Sequence, residues 1–235
     1  MPHSALFFSQ QLTFTSHTDL PVNPDAVMDV YLFNSNTIDS EQLTALAEHH
    51  LHPREQAVFA KRKQLQAQQE YLASRFIIKT YASQYLGYGF ESLYVLFDSK
   101  DTCLKVYHQD EAISLHCCIS HSRGHVLIAL LPTKKITTNQ DIKLGVDLEW
   151  ISTKRSLDKV AKHYYHSEEL RACMAQAVNA KALYRIWTLK EALAKAIKQP
   201  IAKLLRNNVF SYCEQLSVQS GSYQHTDEEC GEVFD

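Results

Sequence analysis

Two short segments, residues 145–149 and 187–195, constrain the fold most strongly because each joins a structural pattern to clustered charge. Residues 145–149 read Gly-Val-Asp-Leu-Glu, in which apolar residues flank two carboxylates. This pattern predicts a short strand, and side chains two positions apart on a strand project from the same face. We therefore expect Asp147 and Glu149 to reach the same cation.

The second segment predicts a helix because it is rich in Ala, Leu, Lys and Glu, and the apolar residues around it recur with helical spacing. Trp187, Glu191 and Lys195 follow one another at four-residue steps, which places them on one stripe of that helix. Glu191 then becomes a third carboxylate that meets the other two. The plainer alternative is that Glu191 and Lys195 form an ordinary surface ion pair.

Three carboxylates together are typical of a site for a hard cation such as Mg²⁺, which completes its shell with water and substrate phosphate. Lys190 and Lys195 would supply positive charge to phosphate oxygens, as phosphoryl-type transfer requires. The two segments together thus predict a Mg²⁺–diphosphate site.

The composition is that of an ordinary globular protein, with 45% apolar and 21% charged residues in a chain of 235. The net charge of -2 gives no reason to expect binding to nucleic acid or to an anionic membrane. We expect no membrane span and no signal peptide. The six cysteines are irregularly scattered and predict no disulfide framework, so a reducing cytoplasm fits best.

The N-terminal part of the sequence mixes strand and helix patterns. Residues 1–25 carry no sustained period and predict an irregular arm, and Ser40 is the expected cap of the first helix. We expect strands over residues 27–33, 93–97, 103–107, 113–119 and 126–131, with helices over residues 40–49 and 53–85, the second of them broken near residues 64–69.

The polar segment 132–143 predicts a linker, and we place a domain boundary between residues 138 and 139. Beyond the strand at 145–149 we expect helices over residues 156–165, from Ser167 onward and over residues 187–198, then a hairpin of residues 209–213 and 216–218. Strands and helices on both sides of the boundary predict an α+β protein with two similar halves, each a small sheet packed with a long helix.

Residues 145–149 and 187–195 resemble the two signature motifs of the 4′-phosphopantetheinyl transferase superfamily, specifically of its Sfp-type enzymes. Residues 119–122, Ile-Ser-His-Ser, resemble a third motif of that family, and the resemblance extends over about residues 53–212. It implies two halves related by a pseudo-twofold axis. Residues 1–138 would then contact the coenzyme A nucleotide, and residues 139–235 would carry the metal-binding and catalytic motifs.

The resemblance also implies an activity. A 4′-phosphopantetheine group would pass from coenzyme A to a serine of an apo acyl or peptidyl carrier protein, with Mg²⁺ as cofactor and 3′,5′-adenosine bisphosphate as the second product. Asp147, Glu149 and Glu191 would hold the metal, and Glu191 would receive the serine proton directly or through water. Lys195 would stabilise charge at the reacting phosphate, with Lys190 as a supporting contact.

For the nucleotide phosphate, the resemblance implies contacts from His121, with Ser120 beside it, and from the basic cluster that contains Lys61 and Lys63. The family's Gly-Lys-Pro segment is absent here, and Lys105 is its nearest match. A zinc site that uses His121 and the neighbouring cysteines is disfavoured, because their spacing is not a structural zinc pattern.

Two other classes of protein remain open. A different Mg²⁺-dependent phosphoryl enzyme, such as a nuclease, is disfavoured because position 151 is Ile where a common nuclease pattern needs Lys, and because no basic stripe is present. A non-catalytic protein that binds a carrier protein or coenzyme A is disfavoured because all three carboxylates and both helix lysines are present. We expect a monomer. The sequence leaves open whether the carrier serves fatty-acid, polyketide, polyunsaturated fatty-acid or nonribosomal-peptide biosynthesis.

Overall fold

A computed structural model of the protein describes residues 7–9, 20, 28–133, 142–152, 157–174 and 180–213. The chain divides into two compact units, Met1–Leu144, called the N-terminal unit below, and Gly145–Asp235, called the C-terminal unit. The boundary that we expected between residues 138 and 139 lies outside the described residues.

The described part of the N-terminal unit contains a seven-stranded sheet. Its strands are β1 (Phe7–Ser9), β2 (Asp29–Asn34), β3 (Leu93–Asp98), β4 (Cys103–His108), β5 (Glu111–Ala112), β6 (Leu115–Ser122) and β7 (His125–Pro132). The order across the sheet is β1-β2-β7-β6-β4-β3, and β5 pairs with β4. Strands β1 and β2 are parallel, whereas the other pairs are antiparallel. This mixture of helices and antiparallel sheet confirms the α+β class.

Three helices accompany this sheet: α1 (Leu43–His50), α2 (Pro53–Phe59) and α3 (Leu65–Leu86), with 3₁₀ turns at Ser35–Thr37 and Phe90–Ser92. Most of α3 is buried, and it packs with one face of the sheet around a shared apolar core. That core includes Leu72, Ile77, Val106, Val126, Ile128 and Leu130. Its alternate-residue pattern along β7 is the period expected of a strand with one face toward a helix.

Three expectations for the N-terminal unit need correction. Strand β1 lies within the arm that we expected to be irregular, because its backbone pairs with β2. Helix α1 begins at Leu43 after Gln42, so Ser40 does not cap it. The long helical region is broken as expected, but the break falls at residues 60–64, between α2 and α3, instead of near residues 64–69.

The turn between β6 and β7 holds the end of the Ser-His-Ser segment. Arg123 and Gly124 form a two-residue turn with φ of 53° and 79°, the left-handed conformation that tight hairpins use. A Cβ at Gly124 would lie 2.2 Å from Oδ1 of Asn36. The Gly124 carbonyl also accepts hydrogen bonds from the backbone N–H and the hydroxyl of Ser35, each at 2.7 Å. The left-handed backbone conformation therefore favours glycine here, and a larger residue would also have to displace the Asn36 side chain.

The described part of the C-terminal unit is helical. Its helices are α4 (Leu157–Tyr164), α5 (Ser167–Met174), α6 (Ala180–Ala196) and α7 (Val209–Cys213), with a 3₁₀ turn at Ile201–Lys203. Helix α6 supplies much of the apolar core through Leu183, Tyr184, Ile186, Leu193 and Ala194. Among the described residues of both units, none of the helices has the length and apolar content needed to cross a membrane.

Two strand predictions for the C-terminal unit are wrong. Residues 145–149 have no regular secondary structure, because they lie against α6. Residues 209–213 form α7 instead of a hairpin strand. The side chain of Asn208 accepts a hydrogen bond from the Phe210 backbone N–H (3.1 Å), as a residue that caps a helix start does. The second hairpin strand, expected at residues 216–218, lies outside the described residues.

A buried carboxylate anchors the long helix of the N-terminal unit. The backbone N–H groups of His52 and Val95 donate to Glu55 at 3.0 and 2.7 Å. The ammonium of Lys79, on α3, lies 3.7 Å from Glu55 Oε2 and donates to the His50 carbonyl at 2.7 Å. The Glu55 and Lys79 side chains are 0% and 1% exposed. One ion pair thus joins the start of α2, the middle of α3 and strand β3.

The C-terminal unit contains a similar set of contacts, although its lysine donates to a carbonyl just before α7 and not to one just before the His-x-x-Glu segment. The backbone N–H groups of His166 and Val209 donate to Glu169 at 2.8 and 2.7 Å. The ammonium of Lys190, on α6, lies 2.8 Å from Glu169 Oε1 and donates to the Asn207 carbonyl at 2.6 Å. In both units, a His-x-x-Glu helix start is therefore joined to a buried lysine on the long helix.

Candidate functional site

The approach of Gly145 to α6 positions the first candidate segment. A Cβ at Gly145 would lie 2.0 Å from the carbonyl oxygen of Ala192 and 2.7 Å from the backbone nitrogen of Ala196. Only glycine allows a backbone to pass so close to a helix backbone. Residues 145–149 are thereby held against the helix that carries the second candidate segment.

Two side chains of α6 contact the carboxylates of that segment. The ammonium of Lys195 donates to Oδ1 of Asp147 (2.8 Å) and to the carbonyl of Val146 (3.0 Å). The indole Nε1 of Trp187 donates to Oε1 of Glu149 at 3.2 Å. Trp187, which we expected only to pack behind the site, therefore also orients Glu149. The predicted meeting of Asp147 and Glu149 with this helix occurs without a strand.

Glu191 lies on α6 between these two contacts. Burial is the largest cause that raises the pKa of Glu191, and the charges of Asp147 and Glu149 raise it further, while Lys195 opposes them. Within the part of the chain that the structure describes, its carboxylate makes no hydrogen bond or ion pair. The three carboxylates are thus close enough to repel one another, and Glu191 is the member that remains available to a ligand.

A divalent cation such as Mg²⁺ needs several oxygen ligands, which carboxylates supply. Over the described residues, no three His, Cys, Asp or Glu side chains are already arranged as metal ligands. The donor chemistry nevertheless fits a hard cation, because positive charge among the three carboxylates would relieve the repulsion that raises the Glu191 pKa. A cation bound there would compete with Lys195 for Asp147.

Lys190 does not join this group. Its side chain is 1% exposed, and its ammonium is held by Glu169 and by the carbonyls of Leu204 and Asn207. Burial lowers the pKa of Lys190, and the hydrogen bond and charge of Glu169 oppose that shift. In this position the lysine anchors α6, and it presents no exposed charge to the phosphate oxygens for which we expected it.

The Ser-His-Ser segment lies at the end of β6, in the N-terminal unit. Ser120 is buried, whereas the side chain of His121 is 57% exposed, because successive strand residues point to opposite faces. Nδ1 of His121 lies 3.0 Å from Oε2 of Glu70, on α3. The structure therefore separates the two residues that we expected to contact the same phosphate.

The lysines expected at the nucleotide phosphate differ in availability. Lys105 pairs with Asp98 at 2.8 Å and with Asp101 across the β3–β4 hairpin. Hydrogen bonds to Asp101 and then to Asp98 raise the pKa of Lys105. Lys61 and Lys63 are exposed in the connection between α2 and α3. Of the three, Lys61 and Lys63 are the ones open to an anion.

Comparison with known proteins adds to this geometry. Residues 143–233 match the model of the 4′-phosphopantetheinyl transferase superfamily. The chain is also 31% identical, over 137 residues, to the 4′-phosphopantetheinyl transferase HetI of Nostoc sp. strain PCC 7120. That alignment covers 57% of this chain and 54% of HetI, so the chain spans about half the length of this relative.

Residues 143–233 belong to the 4′-phosphopantetheinyl transferase superfamily. This confirms the superfamily that the two motifs predicted, and the Sfp type stays a prediction. The superfamily region includes Glu191 and Lys195 of α6. It also includes Gly145, Asp147 and Glu149, which lie beside that helix.

The sequence did not reveal two residues that shape the candidate sites. Gly145 belongs to the first phosphopantetheinyl transferase motif, and a glycine beside a functional segment is a signal for close backbone approach. No local pattern in the sequence points to Glu70, because its contact with His121 joins parts of the chain that are far apart in sequence.

Proposed function

We propose that this protein is an Sfp-type 4′-phosphopantetheinyl transferase, which moves the 4′-phosphopantetheine group of coenzyme A to a serine of an apo acyl or peptidyl carrier protein. The observation that carries this proposal is the placement of Asp147, Glu149, Glu191 and Lys195 around one face of α6, within the superfamily region. The superfamily match and the HetI match agree with phosphopantetheinyl transfer. Coenzyme A as donor, Mg²⁺ as cofactor and a carrier protein as acceptor are parts of our proposal.

Asp147, Glu149 and Glu191 would hold Mg²⁺, since three carboxylates suit a hard divalent cation. When bound, the ion would supply positive charge that neutralises the diphosphate of coenzyme A and polarises the phosphorus under attack. Trp187 would keep Glu149 oriented through its indole hydrogen bond.

The reaction itself needs a base and a cation from the protein. The carrier serine oxygen forms a bond to the β-phosphorus of coenzyme A, while the bond from that phosphorus to the bridging oxygen breaks. Glu191 accepts the serine proton, directly or through a water molecule. Lys195 stabilises the charge that develops on 3′,5′-adenosine bisphosphate as it departs.

In the N-terminal unit, we assign the nucleotide phosphate contacts to His121, Lys61 and Lys63, whose side chains are accessible. Ser120, Lys105 and Lys190, which we also expected to bind coenzyme A, have buried or paired positions. We therefore propose structural roles for these three. The functional division between residues 1–138 and 139–235 remains part of the proposal.

The recurrence of the buried His-x-x-Glu and lysine arrangement supports two similar halves, as a pseudo-twofold fold would have. We propose a monomer, because one chain supplies both kinds of site. A cytoplasmic location agrees with the free thiols of Cys103, Cys117 and Cys173 among the described residues. Exposed Lys198, Lys203 and Arg206 would dock an acidic carrier protein, and added salt would weaken that contact.

Removal of divalent metal provides a test of the proposed reaction. Chromatography of a mixture of protein, apo carrier, coenzyme A and Mg²⁺ should show release of 3′,5′-adenosine bisphosphate, EDTA should stop it, and excess Mg²⁺ should restore it. Release that is unaffected by EDTA would contradict the metal site. Coenzyme A binding without release, with several carriers, would instead indicate a non-catalytic binding protein.

Replacing Gly145 with alanine should slow transfer by about 10- to 100-fold, because the new Cβ would displace residues 145–149 from α6 and misplace Asp147. The rate is measured from the release of 3′,5′-adenosine bisphosphate at saturating substrates. Gly89→Ala is the matched control, because a Cβ there meets only the Ser92 hydroxyl at 3.5 Å. A wild-type rate in Gly145→Ala would show that this close approach does not position the site.

A further inference from the structure

We propose that Glu70 is a positioning residue that makes the ring of His121 a double hydrogen-bond donor for the 3′-phosphate of coenzyme A. This inference rests on the proposed function, which places His121 at the nucleotide phosphate, and it takes that group to be the 3′-phosphate. Oε2 of Glu70 lies 3.0 Å from Nδ1 of His121. A carboxylate only accepts hydrogen bonds, so Nδ1 must carry a proton in this contact.

The carboxylate of Glu70 is rigidly held. Its Oε1 accepts hydrogen bonds from the backbone N–H of Gly124 at 3.0 Å and from the side-chain amide of Gln66 at 2.7 Å. The Glu70 side chain is only 7% exposed. Its second oxygen is therefore fixed toward His121 by α3 and by the β6–β7 turn, and it cannot swing out to solvent.

The other edge of the His121 ring is open to a ligand. Nε2 is separated from Nδ1 by one ring carbon, and the His121 side chain as a whole is 57% exposed. Within the described residues, the partner of the His121 ring is Glu70, which lies on α3. Strand β7 places the uncharged Val126 opposite His121, and the turn contributes the exposed Arg123 as the neighbouring charge.

This geometry ties phosphate binding to a proton. A neutral ring with its hydrogen on Nδ1 leaves Nε2 as an acceptor, which cannot bind a phosphate oxygen. Only the imidazolium donates at both nitrogens, to Glu70 on one edge and to phosphate on the other. Phosphate binding at His121 should therefore bring a proton onto the ring.

Glu70→Gln separates this role from simple packing. The glutamine keeps Oε1 as the acceptor for the Gly124 N–H group, so the tie between α3 and the turn is retained. Its amide instead donates to Nδ1, which leaves a neutral ring with its hydrogen on Nε2. The variant should still bind phosphate, but through an uncharged hydrogen bond and without taking up a proton.

The test is calorimetry of 3′,5′-adenosine bisphosphate and of 5′-AMP, from pH 6 to 9, in two buffers with different ionisation enthalpies. Wild-type protein should take up more protons with the bisphosphate than with 5′-AMP, and Glu70→Gln should lose that difference. The preference for the bisphosphate should fall about tenfold, since charge-assisted hydrogen bonds are roughly twice as strong as neutral ones. Binding of 5′-AMP should not change.

A double-mutant cycle with His121→Gln completes the experiment. If Glu70 acts through His121, adding Glu70→Gln to His121→Gln should not further change the preference for 3′,5′-adenosine bisphosphate over 5′-AMP. Wild-type proton uptake in Glu70→Gln, or an equal effect with and without His121, would overturn the role of Glu70. Failure of the wild-type protein to prefer the bisphosphate would overturn the proposed nucleotide site itself.

Discussion

Replacing Lys190 with methionine is expected to lower the free energy of unfolding of the C-terminal unit by about 3–5 kcal/mol, because the change leaves Glu169 buried and unpaired. The two side chains are 1% and 0% exposed, and their charged atoms lie 2.8 Å apart. Loss of the ammonium also leaves the Asn207 carbonyl without its 2.6 Å donor. Urea denaturation followed by circular dichroism measures the effect.

Two variants distinguish loss of the ion pair from loss of a long side chain. Lys203→Met is the matched control, since its side chain is exposed and its ammonium donates to Gln199 at 3.3 Å, and it should change stability by less than about 0.5 kcal/mol. Adding Glu169→Leu to Lys190→Met should recover part of the loss, because no unpaired charge remains. A loss below about 1 kcal/mol in Lys190→Met would show that the buried pair does not anchor α6.

Replacing Glu191 with glutamine should have opposite effects on activity and on stability. Transfer should fall by about 10²–10⁴-fold, because an amide cannot accept the serine proton and has no negative charge with which to bind the metal. Without metal, the variant should be slightly more stable than the wild type at neutral pH. The folded protein disfavours the ionised form of Glu191, which is why its pKa is raised. This destabilisation is fully present above the raised pKa and disappears as the pH falls below it and the carboxylate becomes protonated.

Transfer rates and the melting temperature in EDTA measure both effects. Glu48→Gln, an exposed change on α1, is the control and should leave both unchanged. A Glu191→Gln variant that transfers at the wild-type rate would remove Glu191 from the mechanism. A variant that is inactive and also strongly destabilised would show that Glu191 has a structural role instead.

The spacing of apolar residues predicted the strands and helices that bury one face. Strands β3, β4, β6 and β7 and helix α6 were found from alternating or helical spacing, since the face that each buries is visible in the sequence. The wrong predictions have tertiary causes. Residues 145–149 have the residue pattern of a strand, but Gly145 allows them to lie directly on α6, where Lys195 binds the Val146 carbonyl.

The site residues divide in the same way. Helical spacing alone places Glu191 and Lys195 on one stripe of α6. In the structure, Asp147 and Glu149 lie beside that stripe, as the sequence predicted. The sequence did not reveal that Lys190 is buried, because the partner that draws it inward, Glu169, belongs to a different helix. An exposed and a buried lysine look alike in sequence, and only the tertiary partner separates them.

The most direct test of the central claim is the intact mass of a purified apo acyl or peptidyl carrier protein after incubation with this protein, coenzyme A and Mg²⁺. The account predicts that the carrier gains the mass of one phosphopantetheine group on its serine. It also predicts that the gain disappears when that serine is replaced, when EDTA is added or when Glu191→Gln replaces the wild-type protein. No gain with several carrier types, although coenzyme A binds, would contradict the proposed transfer.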